Sequence, residues 1–293
     1  MAATLDGQLD PEYGAPIVVQ TIATNRGNNT RGVPDWSYGS ELDALHATLD
    51  GGTLRLFLAG NLLQMANPSD PGIFADFLYV FLDTRPGGQN VLRNDNFVID
   101  SPYATNVLNG CAGLRFDPDF SPDYCFAAFA TGSDVWGFGP FTLHGWVAEL
   151  LTSGGGPGAY LGSTGAGPTA GLTGGTNPLD IGLAIDNRNV AGVPEGCAPA
   201  WGSGVSTGVE WAVPLATLGD PSGCVRLSAF FVYRGMFRVG NQCLPPMPAG
   251  TCGTAYPSAL NFAALAGDQS LLLCGLPVPA RRGTWGRLKS LHR

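Results

Sequence analysis

The chain has 293 residues, 13% charged and 44% hydrophobic, with 43 glycines and 23 prolines but no Gly-X-Y period. This composition excludes collagen and suits one large folded domain, or two small ones, built of short strands and many turns. The net charge is −8, the only lysine is Lys289, and residues 1–280 carry ten basic side chains against all 23 acidic ones. A nucleic-acid partner is excluded on that ground, because phosphate binding needs clustered cations.

In chain order, Ile17 to Ala23 is β-branched and strand-like. Thr53 to Leu62 places Leu54, Leu56 and Leu58 on one face, the period of two of a half-buried strand. Phe77 to Leu82 is apolar on both faces and reads as a central strand. Further strands are expected at Tyr124 to Ala130, Phe141 to Leu150, Ile181 to Ile185, Gly208 to Val213 and Val225 to Tyr233. Asp50-Gly51-Gly52, Arg85-Pro86-Gly87-Gly88, Asp117-Pro118-Asp119 and Asp220-Pro221-Ser222-Gly223 are the turns between them. The expected fold is an all-β antiparallel sandwich, jelly-roll-like, with long Gly/Pro-rich loops and little helix.

Ser153 to Asn177 holds ten glycines in 25 residues and reads as a surface loop, a subdomain linker being the alternative. Residues 1–275 then form a single domain and 276–293 a basic tail. The longest apolar runs, such as Leu78 to Leu82, fall far below the ~20 residues of a membrane-crossing helix, so no transmembrane segment is expected. The chain opens on an acidic stretch without a cleavable leader. The simplest reading is a mature exported chain whose signal peptide has been replaced by an initiator Met, a cytosolic chain being the alternative.

The seven cysteines contain no CxxC, which disfavours a thiolate metal site and favours disulfides over buried thiols. Three pairings are expected: Cys111 with Cys125, Cys243 with Cys252, and Cys197 with Cys224. Cys274 is left odd, although spacing does not fix connectivity.

The opening Leu5-Asp6-Gly7-Gln8-Leu9-Asp10 resembles the "DGxxDxxW" entry of the family-nine carbohydrate-binding modules and DOMON domains. Gly208-Val209-Glu210-Trp211-Ala212-Val213-Pro214 is similar to their "GxExxIP" strand, and Thr53 to Leu58 with Val80 to Thr84 looks like their strand pair. Gly39-Ser40-Glu41-Leu42-Asp43, Phe116 to Tyr124, Gly240 to Pro245, Asn261 to Ala264 and Gly267 to Gln269 also resemble a group of uncharacterised exported bacterial proteins with C-terminal sorting tails. The resemblance implies a sandwich and export. Independently of it, Trp211 should lie in the core and Glu210 on the opposite face.

Candidate sites follow from residue chemistry. Asp117, Asp119 and Asp123, in a Pro-punctuated turn, are the first choice for calcium, which prefers clustered carboxylate and carbonyl oxygens. Asn94-Asp95-Asn96 and Asp186-Asn187-Arg188-Asn189 are lesser candidates, and metal-free Asx-turns explain all three equally well. Trp36 with Tyr38, Trp136 with Phe138, and Trp201 sit among Gly, Ser and Pro and are candidate platforms for the C–H faces of sugars. Trp146 and Trp211 read as core.

His46, His144 and His292 fall in no catalytic motif, and no enzyme is expected. The tail residues Trp285, Leu288 and Leu291 recur every three positions, giving a short apolar stripe that would dock on export or assembly machinery. The function expected is a secreted or cell-surface, non-catalytic protein binding polysaccharide or matrix components. The alternative is a structural subunit that assembles with copies of itself, and a glycan-active hydrolase ranks third.

Overall fold

The computed structural model describes residues 3–24, 40–65, 76–97, 107–132, 141–164, 171–189, 191–194, 196, 198–221, 223–233 and 238–276. Trp36, Tyr38, Trp136, Phe138, Cys197, Trp285, Leu288, Leu291 and His292 lie outside them. The fold is two packed, mostly antiparallel sheets, as the strand pattern implies.

The first sheet has five strands in the order β1 (Val18–Val19), β2 (Glu41–Asp50), β3 (Thr53–Asn61), β11 (Gly208–Pro214) and β10 (Gly182–Ile185). The second runs β13 (Arg238–Leu244), β12 (Gly223–Tyr233), β5 (Asp76–Asp83), β6 (Tyr124–Gly132), β7 (Phe141–Glu149), β8 (Gly158–Ser163), β9 (Thr173–Gly174). On its flanks β14 (Leu271–Leu276) pairs with β12 and β4 (Gln64–Met65) with β6. The one α-helix among the described residues, α1 (Val107–Gly110), is a single turn.

Alternation sets the layers. Leu54, Leu56 and Leu58 of β3 meet Leu78, Val80 and Leu82 of β5 and Trp211 of β11 in the core between the sheets. The odd positions of β5, Phe77, Tyr79 and Phe81, face a second core under residues 84–97, 107–122 and 245–270, with Phe116, Phe120, Trp146, Phe230 and Phe262. Thus β5 is apolar on both faces because both are covered. The turn between β2 and β3 is a two-residue hairpin whose Gly51 and Gly52 both take positive φ (56° and 87°), which matches the twist of the flanking strands.

Two expectations are corrected, the Gly-rich loop and the cysteine pairing. The Gly-rich stretch is not simply a loop, since its residues 158–163 form β8, which pairs with β7, and 173–174 form β9. Gly158 and Gly162 mask the alternation of β8, in which Ala159 and Leu161 face the core between the sheets while Tyr160 packs on the second core.

Disulfide pairing follows strand register instead of proximity in sequence. Cys224 of β12 stands opposite Cys274 of β14 and is bonded to it, with Cα atoms 4.0 Å apart, so Cys274 is not odd and Cys224 is not Cys197's partner. Cys111, Cys125 and Cys243 are free and buried, which overturns the Cys111–Cys125 and Cys243–Cys252 pairings; Cys252 is disulfide-bonded, but not to Cys243. The three thiols are part of the second, aromatic core, where a small apolar group packs without oxidation.

Candidate functional site

Strand β2 opens on Ser40-Glu41-Leu42-Asp43. Leu42 and Leu45 face the core while Ala44 faces outward, which takes a β-bulge: Leu42 pairs with Gly60 and Ala44 with Ala59, leaving Asp43 as the extra residue. The bulge brings the Asp43 side chain beside that of Glu41. Both carboxylates are fully buried (0% exposed).

The segment after β10 closes over them. Asp186 anchors its start by accepting from Arg188 Nε at 2.8 Å. Asn187 imitates a strand partner, accepting from Leu62 N (2.8 Å) and donating to Leu62 O (2.9 Å). Asn189 accepts from Ala191 N through Oδ1 and donates through Nδ2 to Glu41 Oε1 (2.5 Å) and, more weakly, to Asp43 Oδ2 (3.4 Å). Val193 N donates to Asp43 Oδ1 at 2.8 Å.

Glycine is required at 192, where φ is +117° and a Cβ would lie 2.2 Å from Asp43 Oδ1. The chain then pairs with residues 20–24, through Ala23 N to Ala198 O and Gly202 N to Gln20 O, and Gly202 packs on the Asp43 backbone. Trp201 is thereby held on a braced segment, and its side chain is 65% exposed.

The same end of the sandwich is cross-tied. Ser40 Oγ donates to Asp76 Oδ2 at the start of β5 (2.7 Å), Leu42 N donates to Gln242 Oε1 of β13, and Asn241 Nδ2 donates to Ala23 O. The strand ends flanking residues 25–39 and 133–140, which carry Trp36, Tyr38, Trp136 and Phe138, lie at this end.

Burial pushes the carboxyls of Glu41 and Asp43 upward, and for Glu41 the neighbouring charge of Asp43 adds to it. No basic side chain among the described residues reaches either group. Two ionised carboxylates in contact without water or a cation are strongly unfavourable.

The other candidates are distributed differently. Asp117 Oδ2 accepts from Gln269 N (2.9 Å) and Ser270 Oγ (2.8 Å). Asp119 pairs with Arg226. Asp123 accepts from Thr84 N and Oγ1 (both 2.8 Å) and pairs with Arg85 Nε at 3.0 Å. The three carboxylates face separate partners, and among the described residues no group of three or more His, Cys, Asp or Glu side chains is placed to hold a metal. Asp95 is held by Arg93, and Asn96 bonds with Gln89 and Asn109, which makes this cluster a turn.

The two described histidines are packed into the fold. The His144 ring stacks on Phe129 (4.7 Å between centroids), with Nδ1 3.0 Å from Tyr160 OH and Nε2 3.2 Å from Thr131 Oγ1; burial lowers its pKa to about 4. His46 Nδ1 donates to Gly14 O, and burial lowers its pKa too.

At the opposite end, a shallow cleft of about 130 Å³ is lined by Tyr124, Glu149, Pro157, Pro178 and Leu179. It is well below the ~300 Å³ at which ligand pockets usually begin, and the nearby Arg85 is already paired with Asp123 and Glu149.

Glu41 and Asp43 were visible in the sequence only through the resemblance of Gly39 to Asp43; nothing in the pattern marked them as buried. No family model, curated protein or solved structure matches the chain. No helix among the described residues is long and apolar enough to cross a membrane.

Proposed function

We propose that the protein is an exported, non-catalytic β-sandwich that binds glycan or extracellular matrix material, with Trp201 as a contact residue. The observation that carries this reading is the exposed indole of Trp201 on a segment braced by Gln20, Thr21, Asp43 and Asn189. The Trp201 ring, 65% exposed among Ala198, Pro199, Gly202, Ser203 and Gly204, offers an apolar face of the kind on which a pyranose stacks. A mobile Trp would lose much of that contact energy to ordering.

Hydrolysis is less well supported. The carboxylates of Glu41 and Asp43 touch each other, whereas a glycosidase holds its pair roughly 5 Å or more apart around the scissile bond. The test of the binding reading is retention on insoluble polysaccharides, comparing the native protein with Trp201→Ala.

A second reading, assembly with copies of itself, is favoured by β14. It lies at an edge of the larger sheet with Leu272 53% exposed, and unpaired edges with apolar side chains invite strand addition. Concentration-dependent mass in light scattering, abolished by Leu272→Lys, is the result that reading expects.

A further inference from the structure

We propose that Glu41 and Asp43 share one proton at neutral pH, and that this pair is a pH-sensitive latch holding the described residues of the 186–202 segment, and with them Trp201, on strand β2. The donor inventory leads there. Of the four carboxyl oxygens, Asp43 Oδ1 takes Val193 N, while Asp43 Oδ2 and Glu41 Oε1 divide the single Nδ2 of Asn189. Glu41 Oε2 is buried and has no hydrogen-bond donor. One proton on Glu41 Oε2, donated to the Asp43 carboxylate, satisfies the set and leaves one delocalised negative charge facing two N–H groups.

Among the described residues nothing substitutes for that proton. Among the described residues of the covering segment the charged groups are Asp186 and Arg188, which pair with each other. From β3 the partner of Glu41 is Asn61, and from β13 the facing side chain is Gln242. Asp76 of β5 is held by Ser40. Burial raises both carboxyls and the Asp43 charge raises Glu41 further, so the folded pair keeps a proton that the unfolded chain has lost above the ordinary carboxylate range, about pH 4. Removing it at alkaline pH leaves two like charges in contact under Asn189. The lowest-cost relief is for the covering segment to lift and admit water.

Glu41→Gln separates the latch from the charge. The amide keeps the shape and donates where the carboxylic O–H donated, but it does not titrate. The consequence for ligand binding rests on the role proposed for Trp201; the latch does not.

Infrared spectroscopy at neutral pH should show a protonated-carboxyl carbonyl band that is absent from Glu41→Gln. Amide exchange at Val193, corrected for its intrinsic pH dependence, should lose protection at alkaline pH in the native protein and keep it in Glu41→Gln. Absence of the band, Val193 protection independent of pH in the native protein, or replacement of the band by a calcium-bound carboxylate signature on adding calcium would each overturn the proposal. A pH-gated Val193 in a protein that retains no polysaccharide would uphold the latch and remove the binding reading.

Discussion

The carboxylate of Glu210 accepts the backbone N–H of Gly7, 203 positions earlier in the chain, at 3.2 Å. It also accepts from Asp6 N (3.0 Å) and from Tyr13 OH (2.7 Å), while Arg55 Nη1 lies 3.9 Å from its other oxygen. The opening segment is thereby clasped to the outer face of β11, on the side opposite Trp211. Burial nonetheless raises the Glu210 carboxyl.

Glu210→Ala strands three donors and should cost about 3 kcal/mol or more in denaturant unfolding, while Tyr13→Phe should cost about 1 kcal/mol. Because these groups share one acceptor, the double variant should fall short of the sum. Additive costs would show that the clasp does not act as a unit.

The Cys224–Cys274 bond closes a loop of 50 residues, for which chain entropy gives roughly 4 kcal/mol. Cys274→Ala should lower stability by an amount of that order, and peptide mapping without reduction should recover the two cysteines joined. Burial pushes the thiols of Cys111 and Cys243 up to about 12. Both should resist alkylation until the protein is unfolded. Rapid labelling in the native state would contradict their placement in the core.

His144 and the Glu41–Asp43 pair impose opposite pH slopes. The folded pKa of His144 is lowered to about 4 from an ordinary 6.5, so the unfolded chain takes the proton first. Its contribution, about 3 kcal/mol, is present above pH 6.5 and lost as pH falls towards 4. For the carboxyl pair the folded pKa is raised, so stability is highest below the ordinary carboxylate range and declines as pH rises. The decline is up to about 1.4 kcal/mol per pH unit while one extra proton is held. Melting curves should show His144→Gln flattening the acid limb and Glu41→Gln the alkaline limb; unchanged limbs would contradict both assignments.

Gly192→Ala would drive a methyl group into Asp43 Oδ1 and strain a φ of +117°. We expect a loss of at least about 2 kcal/mol and greater proteolytic susceptibility near residue 192. A neutral substitution would show that the segment does not press on Asp43.

The two sheets were legible because leucines in β3 and the two-faced apolar run of β5 repeat every second residue. Trp211 could likewise be assigned to the core and Glu210 to the other face. What the pattern concealed depends on partners distant in sequence. An acid in a strand reads as solvent-facing, and the bulge at Asp43 breaks the period that would have placed it. Its burial is decided by Asn189, 146 positions away. Cysteine pairing was misjudged because sequence proximity carries no register, and Cys274 finds Cys224 only once β14 is known to pair with β12. Glycines hid β8, because Gly158 and Gly162 leave only Ala159, Tyr160 and Leu161 to show an alternation. Trp201 was readable as a loop-borne ring from its small neighbours, and it is exposed.

Trp201→Ala provides the most direct measurement. An exposed ring contributes little to folding, so the variant should melt within about 0.5 kcal/mol of the native protein. In parallel pull-downs with a panel of insoluble polysaccharides and matrix preparations, the native protein should be retained on at least one, and Trp201→Ala at equal concentration should be released from it. Equal retention of the two, or no retention of the native protein on any of them, would contradict the proposed function.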